Sequence, residues 1–121
     1  MVNRIYHIAT RADWERAERD GEYTASTIGR TLAEEGFIHA SGPAQVTGVA
    51  NRYYRGLRDE LLLLVIDPER VLAEIRYENV PGADAPFPHI YGPLNADAVV
   101  AVRPLTAGPG GTFAFAPEAW P

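Results

Sequence analysis

The sequence contains no cysteine and no lysine, so its 11 basic residues are all arginine. Without cysteine the chain cannot form a disulfide, a thiolate metal site, an iron–sulfur cluster or a thiol nucleophile. Without lysine it can form neither a Schiff base nor the lysine contact of a phosphate-binding loop. These absences leave histidine, carboxylate, hydroxyl and aromatic side chains as the groups available for chemistry.

Net positive charge and long apolar runs are also absent. The formal net charge is -5, which argues against generic binding to the phosphate backbone of a nucleic acid. The longest apolar run, Leu61–Ile66, has the length of a buried strand and falls far short of the roughly 20 residues of a membrane span. Because residues 1–9 lack a signal-peptide layout, we expect a cytoplasmic protein without a membrane partner.

The length of 121 residues and the order of the patterned segments predict one α+β domain over residues 1–121. The continuous apolar run Leu61–Ile66, which follows Glu60, predicts a central strand covered on both faces. Alternation at residues 71–78 predicts a half-buried strand with a charged side. Further strands are predicted at residues 4–9, 36–41, 88–91 and 98–102.

Two helices are predicted, each after a strand. Thr10 is a suitable N-cap for the first, and Gly21 a suitable residue to end it. Ser41 is the predicted N-cap of the second helix, with Pro43 in its first turn. The predicted apolar face of this second helix has helical spacing; it consists of Val46, Val49, Ala50 and Tyr53.

The main functional signal is that the three histidines, His7, His39 and His89, all lie in strand-like runs. On a strand His39 shares one side with Ser41, at the entry to the second helix, which is a common place for binding groups. A single strand histidine is usually structural, bonded to a backbone carbonyl. Because three of them lie in similar places, a functional interpretation is as well supported as a structural one.

Other polar groups extend this set. Glu78 shares a strand side with Arg76, and it either faces solvent or points into a cleft. Tyr91 shares a side with His89 and can serve as its hydrogen-bond partner or as a stacking ring. Tyr54 belongs to an arginine–tyrosine cluster at the end of the second helix, whose other members are Arg52, Arg55 and Arg58. The cluster either binds a small nucleotide or only places positive charge at the helix C-terminus, where the helix dipole favours it.

A zinc site built from the three histidines is chemically conceivable, since three imidazoles and a water form a catalytic zinc centre. The spacing shows no His-x-His pair and no i, i+4 pair, so we expect no metal. At the C-terminus, Phe113, Phe115 and Trp120 are expected to hold the glycine- and proline-rich residues 105–121 against the body.

Several motifs, in order, resemble the bacterial family known as domain of unknown function 952, over residues 3–104. These motifs are Ile5-Tyr6-His7-Ile8-Ala9, Gly36-Phe37-Ile38-His39-Ala40-Ser41 with Gln45, Asn51-Arg52-Tyr53-Tyr54, Leu64-Val65-Ile66-Asp67, Arg76-Tyr77-Glu78 and Phe87-Pro88-His89-Ile90-Tyr91-Gly92-Pro93-Leu94.

The resemblance implies an ADP-ribosyltransferase-like fold, a split and mostly antiparallel sheet around a cleft that holds NAD in related enzymes. In those relatives a first-strand histidine binds the nicotinamide-side ribose, an aromatic ring packs on the nicotinamide, and a late-strand glutamate stabilises the transition state. His7 and Glu78 match the histidine and the glutamate. The aromatic residue is one of Tyr23, Tyr54 and Tyr91.

The leading hypothesis is therefore a protein that binds NAD or another ADP-ribose-containing ligand and transfers ADP-ribose. Glu78 and His39 are the predicted catalytic residues. The predicted cofactor-binding residues are His7, Ser41, Tyr54, His89 and Tyr91. The alternatives are a non-catalytic binding module for a small anionic metabolite or a protein, and a histidine metalloenzyme.

Overall fold

A computed structural model describes residues 3–27, 30–57, 59–115 and 117. Every strand pairing among these residues is antiparallel, so the fold is mixed α and β with antiparallel sheets and few helices. In chain order the elements are β1 Ile5–Thr10, α1 Arg11–Asp20, β2 Glu22–Tyr23, β3 Ala25–Thr27, β4 Arg30–Thr31, α2 Leu32–Glu35, β5 Ile38–His39, α3 Val46–Tyr53, β6 Leu61–Ile66, β7 Glu74–Glu78, β8 Phe87–Tyr91, β9 Leu94–Asn95 and β10 Val99–Leu105, with 3-10 turns at Pro68–Arg70, Ala96–Ala98 and Pro109–Gly111.

Strand β6 is the centre of the larger sheet, in the order β1-β6-β10. All six of its residues are buried, which confirms the prediction of a strand covered on both faces. Because side chains alternate along a strand, Leu62, Leu64 and Ile66 belong to one hydrophobic cluster and the intervening residues to a second. Burying each such leucine stabilises the fold by roughly 2 kcal/mol relative to leaving it exposed.

The second sheet has three strands in the order β5-β8-β7. Next to β5, the backbones of Ser41 and of Tyr6 in the first sheet exchange two hydrogen bonds of 2.8 Å each. The two sheets therefore form a split arrangement with the end of β5 at the split. That position matters for function because His39 is the last residue of β5.

The first helix begins and ends as the sequence predicts. The Thr10 hydroxyl accepts a hydrogen bond from the backbone N–H of Asp13, and Gly21 adopts the left-handed conformation at φ 83°. Trp14 and Ala17 are its buried residues. This helix packs against the larger sheet, and none of the described helices is long and apolar enough to cross a membrane.

The prediction for α3 was wrong at its N-cap and at one residue of its apolar face. Ser41 does not cap the helix, because its backbone groups pair with Tyr6 in extended geometry. The helix begins at Val46, after a turn in which the Gln45 side chain accepts from the N–H of Gly42. At the other end Tyr53 is 64% exposed, and Tyr54 is the buried tyrosine.

Strand β10 also differs from its prediction as a buried strand. It is the edge of the larger sheet, and most of its residues are exposed or half-buried, including Val100 and Val102. The tail beyond it contacts α3, where Asn51 bonds both backbone groups of Phe113 and Thr47 donates to the carbonyl of Phe115. Trp120 lies outside the described residues.

Candidate functional site

One face of the β5-β8-β7 sheet carries the polar residues that the sequence singled out. The register places His39, His89 and Arg76 in one row across the three strands. On the opposite face, Ile38 and Ile90 are fully buried in the hydrophobic core. The alternation of apolar and polar residues along each strand therefore orients both histidines away from the core.

Glu78 is the acceptor at one end of this face. Its Oε1 accepts from the Tyr91 hydroxyl at 2.5 Å and lies 2.7 Å from Nδ1 of His89. These two hydrogen bonds, that of Tyr91 first, hold the pKa of Glu78 below its usual value. The same carboxylate raises the pKa of Tyr91, and the Arg76 guanidinium lies 4.3 Å from the centre of the Tyr91 ring.

His7, on β1 of the other sheet, is buried in the interior. Its Nδ1 is 2.5 Å from the backbone oxygen of His39 and its Nε2 is 2.9 Å from the Tyr23 hydroxyl. A carbonyl only accepts, so Nδ1 carries the proton. Burial lowers the pKa of His7 to about 4, so the ring is neutral near pH 7 and its Nε2 accepts from Tyr23. Burial likewise raises the pKa of Tyr23.

His39 connects the interior to the polar face. Its carbonyl accepts from His7, and its Nδ1 is 3.3 Å from Nε2 of His89. Burial, followed by the charge of His89, lowers the pKa of His39 to about 4, which keeps its ring neutral near pH 7. The ring of Phe37 stacks on His89 at 4.2 Å, so the His39–His89 contact is flanked by an aromatic side chain.

A cavity of about 420 Å³ lies beside His39. Among the described residues that line it, Glu35 is the one charged side chain and none is an arginine. The Ser26 hydroxyl, which lines the cavity, donates to the carbonyl of Phe37 at 2.6 Å. The lining consists of Ser26, Glu35, Phe37, His39, Val49, Tyr53 and Tyr54.

The structure brings the three histidines and Glu78 into contact but does not place all of them on the cavity. Of the predicted site residues, His39 and Tyr54 line it. His7 and Ser41 are buried, at 3% and 2% exposure. Glu78, His89 and Tyr91 form a hydrogen-bonded group behind His39, and their contacts with the cavity lining are those with His39 and Phe37. Their binding of a cofactor stays a prediction.

Sequence reasoning did not select the other lining residues, Ser26, Glu35, Phe37 and Val49. Phe37 could have been found, since it shares a strand side with His39. Ser26 and Glu35 lie in short elements without a periodic pattern, and only the folded chain brings them to β5. Tyr53 was assigned to the core and instead lines the cavity from an exposed position.

The arginine–tyrosine cluster divides in the structure. Arg55 donates to the backbone oxygen of Gly110 at 3.1 Å, and Arg52 lies 5.5 Å from the ring centre of Tyr53. Arg58 lies outside the described residues. Within the described part of the chain, no group of three histidine, aspartate or glutamate side chains has the arrangement of a metal site. Both ring nitrogens of His7 are already engaged with Tyr23 and a carbonyl.

Comparison with known proteins agrees with this architecture. The sequence matches the family described as protein of unknown function (DUF952) over residues 8–102. The crystal structure of protein CC0527 from Caulobacter crescentus is 31% identical, covers 92% of this chain and 93% of its own, and has a TM-score of 0.79. A double mutant of that protein gives the same values. Its solution NMR structure, also 31% identical, covers 89% of each chain with a TM-score of 0.72.

The fold and the site thus define a small antiparallel α and β protein with a histidine-bordered cavity. The chain belongs to the DUF952 family. No curated protein matches the sequence. The likeness to ADP-ribosyltransferases stays a prediction.

Proposed function

We propose that this protein binds NAD, with the nicotinamide and its ribose in the cavity beside His39. The observation that carries the proposal is the lining itself, in which three aromatic side chains and a neutral imidazole surround a space bordered by one carboxylate. Aromatic and polar groups of this kind recognise a flat heterocycle joined to a hydroxylated sugar.

The size of the cavity indicates that it holds part of the dinucleotide rather than all of it. Its volume of about 420 Å³ lies within the range of small-molecule sites. A heterocycle with one ribose fits such a volume, and the pyrophosphate and adenosine would remain outside.

Charge supports the same orientation. The nicotinamide ring of NAD is cationic, and the lining offers it aromatic faces and the Glu35 carboxylate. A pyrophosphate would meet that carboxylate, and none of the described lining residues is a cation, since Arg30, the ion-pair partner of Glu35, is not among them. For the same reason, the cavity disfavours the alternative of a small anionic metabolite.

Transfer of ADP-ribose would add a requirement for a carboxylate close to the nicotinamide ribose, where positive charge develops. Glu35 lines the cavity and Glu78 does not. Under this proposal Glu35 is the candidate for that role, and Glu78 acts indirectly. Glu35 also pairs with Arg30, with 3.2 Å between Nη2 and Oε2.

The test is calorimetric titration with NAD, nicotinamide riboside and ADP-ribose. NAD and nicotinamide riboside should bind, and ADP-ribose, which lacks nicotinamide, should bind more weakly. Tyr53→Ala should weaken NAD binding about 5-fold, the equivalent of about 1 kcal/mol for an exposed cation–aromatic contact. Tyr77→Ala is the matched control, because Tyr77 is an exposed tyrosine outside the cavity.

Absence of binding at millimolar NAD would remove the proposal, as would equal losses for the two tyrosine variants. Nicotinamide release then separates binding from transfer. A catalytic protein should release nicotinamide, and Glu35→Gln should abolish that release while NAD still binds. A protein that binds NAD without releasing nicotinamide is a non-catalytic binder.

A further inference from the structure

The hydrogen bonds behind His39 have a defined polarity that starts at Glu78. The Tyr91 hydroxyl donates to Oε1 of Glu78, and the ionised carboxylate can only accept. Nδ1 of His89, at 2.7 Å from the same oxygen, must therefore carry a proton. In a neutral His89 ring, Nε2 is then unprotonated and can only accept.

This polarity passes to His39. Its Nδ1 lies 3.3 Å from the accepting Nε2 of His89, so Nδ1 of His39 carries the proton. Its own Nε2 is left with a lone pair. Nowhere in residues 3–27, 30–57, 59–115 and 117 does this Nε2 find a hydrogen-bond partner, and the His39 side chain borders the cavity.

We propose that Glu78, His89 and His39 form a proton relay that presents the Nε2 of His39 to the cavity as a hydrogen-bond acceptor and base. His39 contacts the ligand, and Glu78 and His89 are positioning residues. The ligand must supply a hydroxyl or N–H at this point. A ribose hydroxyl meets that requirement if the protein binds NAD. Only this choice of donor rests on the proposed function; the relay itself does not.

The relay can take a proton without leaving the charge on His39. As the ligand's O–H or N–H bond breaks, an N–H bond forms at Nε2 of His39. The proton on Nδ1 of His39 moves at the same time to Nε2 of His89. The positive charge then lies on His89, whose other nitrogen is bonded to the Glu78 carboxylate.

Other groups around His89 modulate this charge. Arg76 is its cross-strand neighbour and opposes a positive charge there, although Arg76 is itself paired with Glu74 at 3.1 Å. Phe37 stacks on one face of the ring, and His89 is only 5% exposed. Glu78 is the one carboxylate bonded to His89 in the described structure, so it decides where the proton settles.

The test is two-bond 1H–15N correlation NMR of the imidazole rings in the ligand-free protein, which identifies the protonated nitrogen of each ring. At neutral pH all three histidines should carry the proton on Nδ1. Glu78→Ala removes the acceptor and should redistribute the protons of His89 and His39 between their two nitrogens. His7 is the internal control, because its Nδ1 donates to a backbone carbonyl in either protein.

A second variant, Glu78→Gln, retains an oxygen acceptor without the negative charge. It should keep the wild-type proton positions and lose the ability to stabilise a charged His89. Proton positions in His39 that are the same in wild type and Glu78→Ala, with His7 unchanged, would overturn the relay. Because these spectra contain no NAD, they decide the relay whether or not NAD binds.

Titration of NAD or nicotinamide riboside into the same samples tests the contact with ligand. Binding should move the Nε2 resonance of His39 and leave that of His7 in place. Calorimetric binding without any change at His39 would contradict the proposed contact while leaving NAD binding intact.

Discussion

The hydrogen bond between Tyr23 and His7 permits a quantitative test of the interior. Tyr23→Phe removes the hydroxyl that donates to Nε2 of His7, and both residues are at most 3% exposed. The ring cannot adapt by moving its proton, because its Nδ1 must still donate to the carbonyl of His39. A buried acceptor is left unsatisfied, which costs about 1–3 kcal/mol.

This cost can be expressed as a melting temperature. An unfolding entropy of about 2.1 cal/mol/K per residue gives about 0.25 kcal/mol/K for 121 residues. Tyr23→Phe should therefore lower Tm by about 4–12 °C in thermal denaturation followed by circular dichroism. Urea titration at 25 °C should show a loss of about 1–3 kcal/mol in the free energy of unfolding.

The matched control is Tyr54→Phe. Tyr54 is also buried, at 6% exposure, and its hydroxyl makes no hydrogen bond to a residue of the described structure. Its loss should shift Tm by no more than about 2 °C, the equivalent of about 0.5 kcal/mol. Equal shifts for the two variants would refute the hydrogen-bonding account of His7. In a His7→Leu background Tyr23→Phe should cost much less, because the acceptor is gone.

Two further predictions concern pH and backbone packing. Burial lowers the pKa of His7 and His39 to about 4 from 6.5, so the unfolded chain binds more protons than the folded one between these two values. The free energy of unfolding from urea titrations should therefore decrease as the pH is lowered from 6.5 to 4, by about 3 kcal/mol at pH 4 for His7 alone. A free energy of unfolding that stays constant across this window would contradict the buried neutral rings. Gly92→Ala would place a Cβ 2.8 Å from the Cβ of Ala73 and should destabilise the protein by more than about 1 kcal/mol in thermal denaturation. Gly48→Ala is the control, because Gly48 lies inside α3 with open space around it, and this change should stabilise the protein by up to about 1 kcal/mol. Similar effects of the two substitutions would show that close packing at Gly92 is unimportant.

The sequence predicts local features of the fold well where one physical rule dominates. The apolar run of β6 and the caps of α1 are such cases, since burial and end-capping are encoded within a few residues. The start of α3 was predicted incorrectly because Ser41 is a good N-cap by local chemistry, yet its backbone is occupied by Tyr6, 35 positions earlier in the chain. Long-range pairing overrode the local preference.

The sequence indicated several residues of the candidate site, but it did not indicate how they contact one another. Strand alternation indicated that His39 and His89 face away from the core, and the structure places them in contact. It could not indicate that His7 lies inside, bonded to Tyr23, because that contact joins β1 to the two-residue strand β2. The role of Glu78 depends on cross-strand register, which sets it behind His89 rather than on the cavity.

The most direct test of NAD binding in the cavity is an NMR titration of 15N-labelled protein with nicotinamide riboside. The account predicts saturable shifts of the backbone amides of cavity residues, including Ser26, Phe37 and Val49, with those of the opposite sheet edge at Val100 unchanged. Shifts that cluster away from these cavity residues, or no shifts at millimolar ligand, would contradict it.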